Sequence, residues 1–123
     1  MNYAFAKNQY KKSNNAALSA LSDPHEMIRL TMKELSRSLS ALQNKGISGD
    51  RRKSNLSKAF TAIYILQTSL DFEKGQEIAN NLFKLYEYVR IQLQKTMKND
   101  VSAALQVCSE ILQEIIDAWD NIK

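Results

Sequence analysis

His25, Cys108, Glu73, Glu77 and Trp119 are the residues of this chain with the strongest claim to chemistry. His25 is the only histidine, and it follows Asp23-Pro24, a helix-start signature. A phosphotransfer bundle needs its histidine exposed in mid-helix, so that chemistry is set aside. Glu73 and Glu77 stand one helical turn apart. A di-iron bundle needs further carboxylates and an E-x-x-H pair on facing helices, which are lacking here. Cys108 falls on an apolar stripe, where a buried structural thiol is the expectation rather than a nucleophile. Trp119 reads as an anchor for the last helix. No catalytic residue, metal ligand or cofactor is expected, and the chain reads as a non-enzyme.

The elements that carry these residues follow from composition. Three Gly and one Pro in 123 residues leave too few turn formers for a sandwich or barrel. They also leave no clustered glycines for a phosphate-cradling loop. Leucine and isoleucine far outnumber valine, and side chains without β-branching lose less rotamer freedom in a helix. One cysteine cannot make an intramolecular disulfide, which suits a reducing compartment. No run approaches a membrane span, and the opening MNYAFAKNQYKKSNN has no apolar signal region. The expectation is a cytoplasmic protein with no membrane insertion.

Charge is uneven. Residues 1–60 hold 11 basic and 4 acidic side chains, and residues 61–123 hold 6 and 9. The densest basic run, Arg51-Arg52-Lys53, adjoins a glycine-containing turn, so a solvated turn is preferred to nucleic-acid binding and no nucleic-acid partner is expected.

Hydrophobic periodicity places helices over about 24–45, 51–71, 76–98 and 101–121 of a single domain. Asp23 is the expected first N-cap, with Pro24 at the first helical position and Glu26 reaching back as in a capping box. Gly46 is the expected C-terminal glycine of that helix, and Asp100 the N-cap of the last. The stripes are Ile28, Met32, Leu35, Leu39, Leu42; Leu56, Phe60, Ile63, Leu66, Leu70; Ile78, Leu82, Leu85, Val89, Leu93; and Leu105, Cys108, Leu112, Ile115, Trp119. Short connections favour antiparallel neighbours, so the expected fold is an all-α, up-down-up-down four-helix bundle.

The third and fourth helices are apolar over an arc of about 160°, wider than the stripe of roughly 100° that a core needs. In the third, only Arg90 interrupts it. Two readings stay open: a close-packed core that uses everything, or a groove that takes a partner helix. The candidate peptide-binding residues are Ile78, Leu82, Phe83, Tyr86 and Leu93, with Leu82 on the core side and Tyr86 nearer the groove. Tyr3, Phe5 and Tyr10 put three aromatics in a polar N-terminal stretch, whereas disordered tails are poor in them. They are read as a capping segment over residues 1–22 that folds back on the groove, with Tyr10 also a candidate for peptide contact.

At these residues the chain resembles the flagellar secretion chaperone family, FliS. Tyr3 and Asn8-Gln9-Tyr10-Lys11 look like its opening A-Y-x-Q-Y-K, and Pro24-His25-Glu26-Met27-Ile28 resembles its S-P-x-x-L-I helix start. The stretch from Leu70-Asp71-Phe72-Glu73-Lys74-Gly75-Gln76-Glu77-Ile78-Ala79-Asn80-Asn81-Leu82 to Leu85-Tyr86-Glu87-Tyr88 is similar to L-D-x-E-x-G-G-E-I-A-x-N-L-x-x-L-Y-D-Y. Asp117-Ala118-Trp119 resembles the terminal A-W. The family's L-Y-D-G-A is here Thr31-Met32-Lys33-Glu34-Leu35, its second central glycine is Gln76, and its A-N-x-x-x-D is Met97-Lys98-Asn99-Asp100. These departures bear on partner contacts near the first helix more than on the fold. The resemblance implies an antiparallel bundle that binds the C-terminal, otherwise disordered segment of flagellin in the cytoplasm. That binding would block premature polymerisation and present flagellin to the flagellar export gate. It implies an anti-sigma factor or co-chaperone as a further partner, and an N-terminal segment that covers the groove when no partner is bound. The alternative is a non-enzymatic adaptor that self-associates through the same apolar surface.

Overall fold

A computed structural model describes residues 23–122, and the capping segment expected over 1–22, with Tyr3, Phe5 and Tyr10, lies outside the described residues. Four helices follow in order: α1 (Pro24–Leu42), α2 (Gly49–Thr68), α3 (Phe72–Met97) and α4 (Leu105–Asp120). No strand occurs among the described residues, which form an all-α four-helix bundle. Helix α1 packs on α2 and α4, and α3 touches the same two, more thinly along its seam with α4.

Contacts between helix ends fix which ends are neighbours. Arg29 Nε donates to Asp120 Oδ1 at 2.7 Å, while Gln43 Nε2 donates to Ser109 Oγ at 2.8 Å. Helices α1 and α4 therefore run in opposite senses. Arg52, in the first turn of α2, donates to the Thr96 carbonyl and to Asn99 Oδ1, which sets that turn beside the end of α3.

The core joins Met32, Leu35 and Leu39 of α1, Leu56, Ile63 and Leu66 of α2, Val89 and Leu93 of α3, and Leu105, Cys108, Leu112 and Ile116 of α4. Most are members of the stripes read from the sequence. Helix α3 differs, because its core register runs Ala79, Leu82, Tyr86, Val89, Leu93 rather than through Ile78 and Leu85. An arc as wide as that of α3 holds two parallel stripes, and the packing uses one.

The expected α1 cap forms: Asp23 Oδ1 accepts from the His25 N–H at 3.0 Å, with Pro24 opening the helix. Glu26 does not reach back, because its carboxylate accepts from Arg29 instead. Gly46 lies beyond the C-cap residue Gln43 and its φ is not positive. Asp100 is not the cap of α4. Its carboxylate accepts from the N–H and hydroxyl of Ser102, closing a separate turn. Helix α4 begins only at Leu105, where the buried Gln92 of α3 accepts from the Ala104 N–H at 2.9 Å.

Asp71 caps α3 by accepting from the Glu73 and Lys74 N–H groups. Gly75 then lies inside the helix rather than at its boundary, and the helix kinks at Gln76 (φ 45°, ψ −115°). A side chain at positive φ is strained unless it is glycine, and this is the position where the resemblance set a glycine. A Cβ added at Gly75 would lie 2.9 Å from the Ala79 Cβ, so that position needs glycine for space.

Candidate peptide-binding site

The unused stripe of α3 lies along the seam with α4. Ile78, Asn81, Leu85 and Tyr88 recur at helical spacing on that side, and on α4 Val107, Ile111 and Ala118 recur likewise, with the exposed Glu114 between the last two. Asn81, Lys84, Leu85, Tyr88 and Ile111 line an open groove of about 520 Å³ between the two helices. Ile78 is 70% exposed and Ile122 58% exposed, and Tyr88, Ile91 and Val107 are also exposed. An apolar row of this length left in water is uncommon unless something covers it. Two polar side chains belong to the lining, Asn81 within the row and Lys84 beside it, and they can fix the direction of a bound chain while the apolar side chains supply contact area.

The sequence-selected residues separate into three groups. Ile78 and Phe83 are on the surface, but on different sides of α3. Phe83 makes an edge contact with Phe72, centroids 6.0 Å apart, away from the α4 seam. Leu82 is half-buried against the core, as expected. Tyr86 and Leu93 are buried, and the placement of Tyr86 nearer the groove is overturned. Burial pushes the Tyr86 phenol up to about 12, so it stays neutral and acts as core. Tyr10 lies outside the described residues.

The reading missed Tyr88 and Val107. Tyr88 is two residues from Tyr86, a turn of about 200° around the helix, and only the position of the neighbouring helix tells which tyrosine is buried. Arg90, which interrupts the apolar arc, is explained by its partners. It donates to Glu87 through Nε at 3.0 Å and also through Nη2, and Gln67 of α2 donates to the same carboxylate at 3.0 Å. These hydrogen bonds, Arg90 first, hold the Glu87 carboxyl down at about 2. The cluster ties α3 to α2 on the side facing away from the groove and leaves the α4 side free of fixed charge pairs.

Trp119 anchors the last helix. Its indole stacks on His25 (centroids 4.6 Å, planes 9° apart), and its Nε1–H donates to the His25 carbonyl at 2.9 Å. Cys108 is fully buried, and desolvation raises its thiol to about 11, the state of a structural thiol rather than a nucleophile. Among the described residues no three His, Cys, Asp or Glu side chains are grouped to hold a metal ion.

Residues 6–123 match the family described as "Flagellar protein FliS". The chain is 37% identical over 121 residues to the flagellar secretion chaperone FliS of Vibrio cholerae, covering 92% of this chain and 85% of the relative. It is 30% identical to the flagellar secretion chaperone FliSB of Pseudomonas aeruginosa, covering 95% and 94%. It is 36% identical over 112 residues to the flagellar secretion chaperone FliS of Salmonella typhimurium, covering 88% and 81%. No solved structure gives a significant match.

Proposed function

Because this chain belongs to the FliS family of flagellar proteins, a family of chaperones and not of enzymes, we propose that its role in flagellar export is to hold the C-terminal segment of flagellin along the α3–α4 face. The observation that carries this reading is the open groove lined by Asn81, Lys84, Leu85, Tyr88 and Ile111, with the exposed Ile78 in helical register with Leu85 and the exposed Val107 in register with Ile111. A disordered tail that orders on binding gives up roughly 2–5 kcal/mol. At ~25 cal/mol per Å² of apolar surface, that cost is offset by about 80–200 Å² of burial, so the tail must contact more than the groove floor. Further contact area must also offset the lost freedom of association before affinity results, and the low demand for matched charges suits a partner that is extended or helical by turns.

In this reading Ile78 touches the tail directly, Leu82, Tyr86 and Leu93 hold α3 in place from below, and Phe83, on the other side of α3, contributes only if the tail continues past the end of the groove. Tyr3, Phe5 and Tyr10 of the N-terminal segment cover the face when no tail is bound, which lowers apparent affinity by the uncovered fraction. The complex forms in the cytoplasm, keeps flagellin from polymerising early and is received by the export gate. An anti-sigma factor or co-chaperone is the further partner that the family resemblance implies. The experiment is size-exclusion chromatography of the chain with full-length flagellin and with flagellin lacking its C-terminal segment. A one-to-one complex with the first and none with the second is expected. Equal complex formation with both would overturn the assignment to the tail, and a homodimer that persists beside unbound flagellin would favour the self-associating adaptor.

A further inference from the structure

We propose that the end of the bundle carrying the α1–α2 and α3–α4 turns docks on an anionic lipid bilayer as a peripheral contact. The hydrogen bonds of Arg52 to Thr96 and Asn99, and of Gln43 to Ser109, bring both turns to one end. Lys45, Arg51, Lys53 and Lys98 are exposed there, and none belongs to an ion pair among the described residues. The acids on these turns are Asp50 and Asp100, and Asp100 is already engaged by Ser102. Val101 at the tip of the α3–α4 turn is 101% exposed, and Met97 beside it is 50% exposed.

Neither feature serves the fold. Arg51 stands in the first turn of α2, where the positive end of the helix dipole disfavours cations, and Lys53 follows just past it. Arg52 recovers something from Thr96 and Asn99, whereas its two neighbours do not. A fully exposed branched side chain at the apex of a turn gains nothing from burial. Together they put four cations, unpaired among the described residues, and an exposed apolar tip at one end of the bundle, which suits lipid phosphates around a shallow insertion at the headgroup boundary. No helix is long and apolar enough to cross a membrane among the described residues, so the contact stays at the surface. Single-stranded nucleic acid would call for exposed aromatics to stack on bases, and the exposed aromatics among the described residues, Tyr64, Phe72, Phe83 and Tyr88, lie away from these turns. Among the described residues the opposite end carries the exposed acids Asp23, Asp71 and Glu73 against the exposed Lys74, with Asp120 paired to Arg29, so an anionic surface would orient the molecule with that end outward.

The test is co-sedimentation of the full chain with vesicles of mixed phosphatidylglycerol and phosphatidylcholine, and with phosphatidylcholine alone. Binding to the mixed vesicles only, weakening as salt rises, is expected. Each basic residue near an anionic surface contributes ~1 kcal/mol, about fivefold in partitioning. The double variant Arg51→Glu/Lys53→Glu should therefore bind ~25-fold more weakly or worse, and Val101→Ser should bind more weakly with the same salt slope. The double variant keeps the fold, because Ser48 Oγ accepts from the N–H of residue 51 and a glutamate there completes a capping box. Its melting temperature should hold or rise, which separates lost docking from unfolding. Equal sedimentation of wild type and double variant overturns the proposal, as does an absence of binding to the mixed vesicles or retention on duplex DNA without it.

Discussion

Replacing Gln76 with glycine should stabilise the protein. Gln76 has φ 45° and ψ −115° at the kink of α3 and is exposed, so its side chain contributes no core packing. Holding a non-glycine residue in such a conformation costs of the order of 1–3 kcal/mol. Glycine removes that cost but raises the entropy of the unfolded chain, by ~0.5–1 kcal/mol. The net gain is ~0–2.5 kcal/mol, centred on about 1 kcal/mol. With an unfolding entropy of about 2.1 cal/mol/K per residue, a chain of 123 residues gains roughly 4–5 °C in melting temperature, and at most about 10 °C. Thermal unfolding followed by circular dichroism reads this directly. Gln76→Ala is the control, since alanine keeps the Cβ and the strain, and its stability should stay within about 0.5 kcal/mol of wild type. A destabilised glycine variant, or an alanine variant that gains as much, would refute the argument from backbone strain.

Three other outcomes follow from the same contacts. Gly75→Ala should lose ~1–3 kcal/mol in chemical denaturation, because the new methyl would meet Ala79 Cβ at 2.9 Å. Trp119→Phe should cost ~1–2 kcal/mol by removing the Nε1–H bond to the His25 carbonyl and part of the stack, again read by denaturation. Glu87 has its pKa lowered from 4.5 to about 2 by Arg90 and Gln67. Its contribution is complete above 4.5 and is lost as pH falls toward 2. The melting temperatures of wild type and Glu87→Gln, measured across that range, should differ slightly at pH 6 and converge near pH 2; a constant difference would assign the effect to packing. The difference is small because Glu87 and Arg90 are both partly exposed.

The sequence was most informative where local chemistry decides the structure. Asp23 and Pro24 start α1 as their types require, and the stripes of α1, α2 and α4 enter the core with Met32, Leu35, Ile63, Leu66, Cys108 and Leu112. It misled where a distant partner decides. Asp100 had the residue type of a cap, but α4 starts where Gln92 of α3 reaches the Ala104 N–H, an interaction with no local signature. Glu26 had the spacing of a capping box but found Arg29 closer to hand. The candidate site was legible as a surplus: the arcs of α3 and α4 are wider than a core consumes. Its location was not, because Ile78, Leu85 and Tyr88 differ from Tyr86 and Leu93 only in which neighbour they face. The Gln76 kink could be anticipated only as a departure from a glycine in the family pattern.

The central claim is that the exposed α3–α4 face holds the flagellin tail. Its most direct test is a fluorescence-anisotropy titration of a labelled C-terminal flagellin segment with wild type and with Ile78→Asp and Tyr88→Ala. Both substituted side chains are exposed, so melting temperatures should change little. Saturable binding by wild type, weakened about tenfold or more (~1.4 kcal/mol) in each variant with the melting transition retained, is the predicted result. Wild-type affinity in both variants would contradict the account.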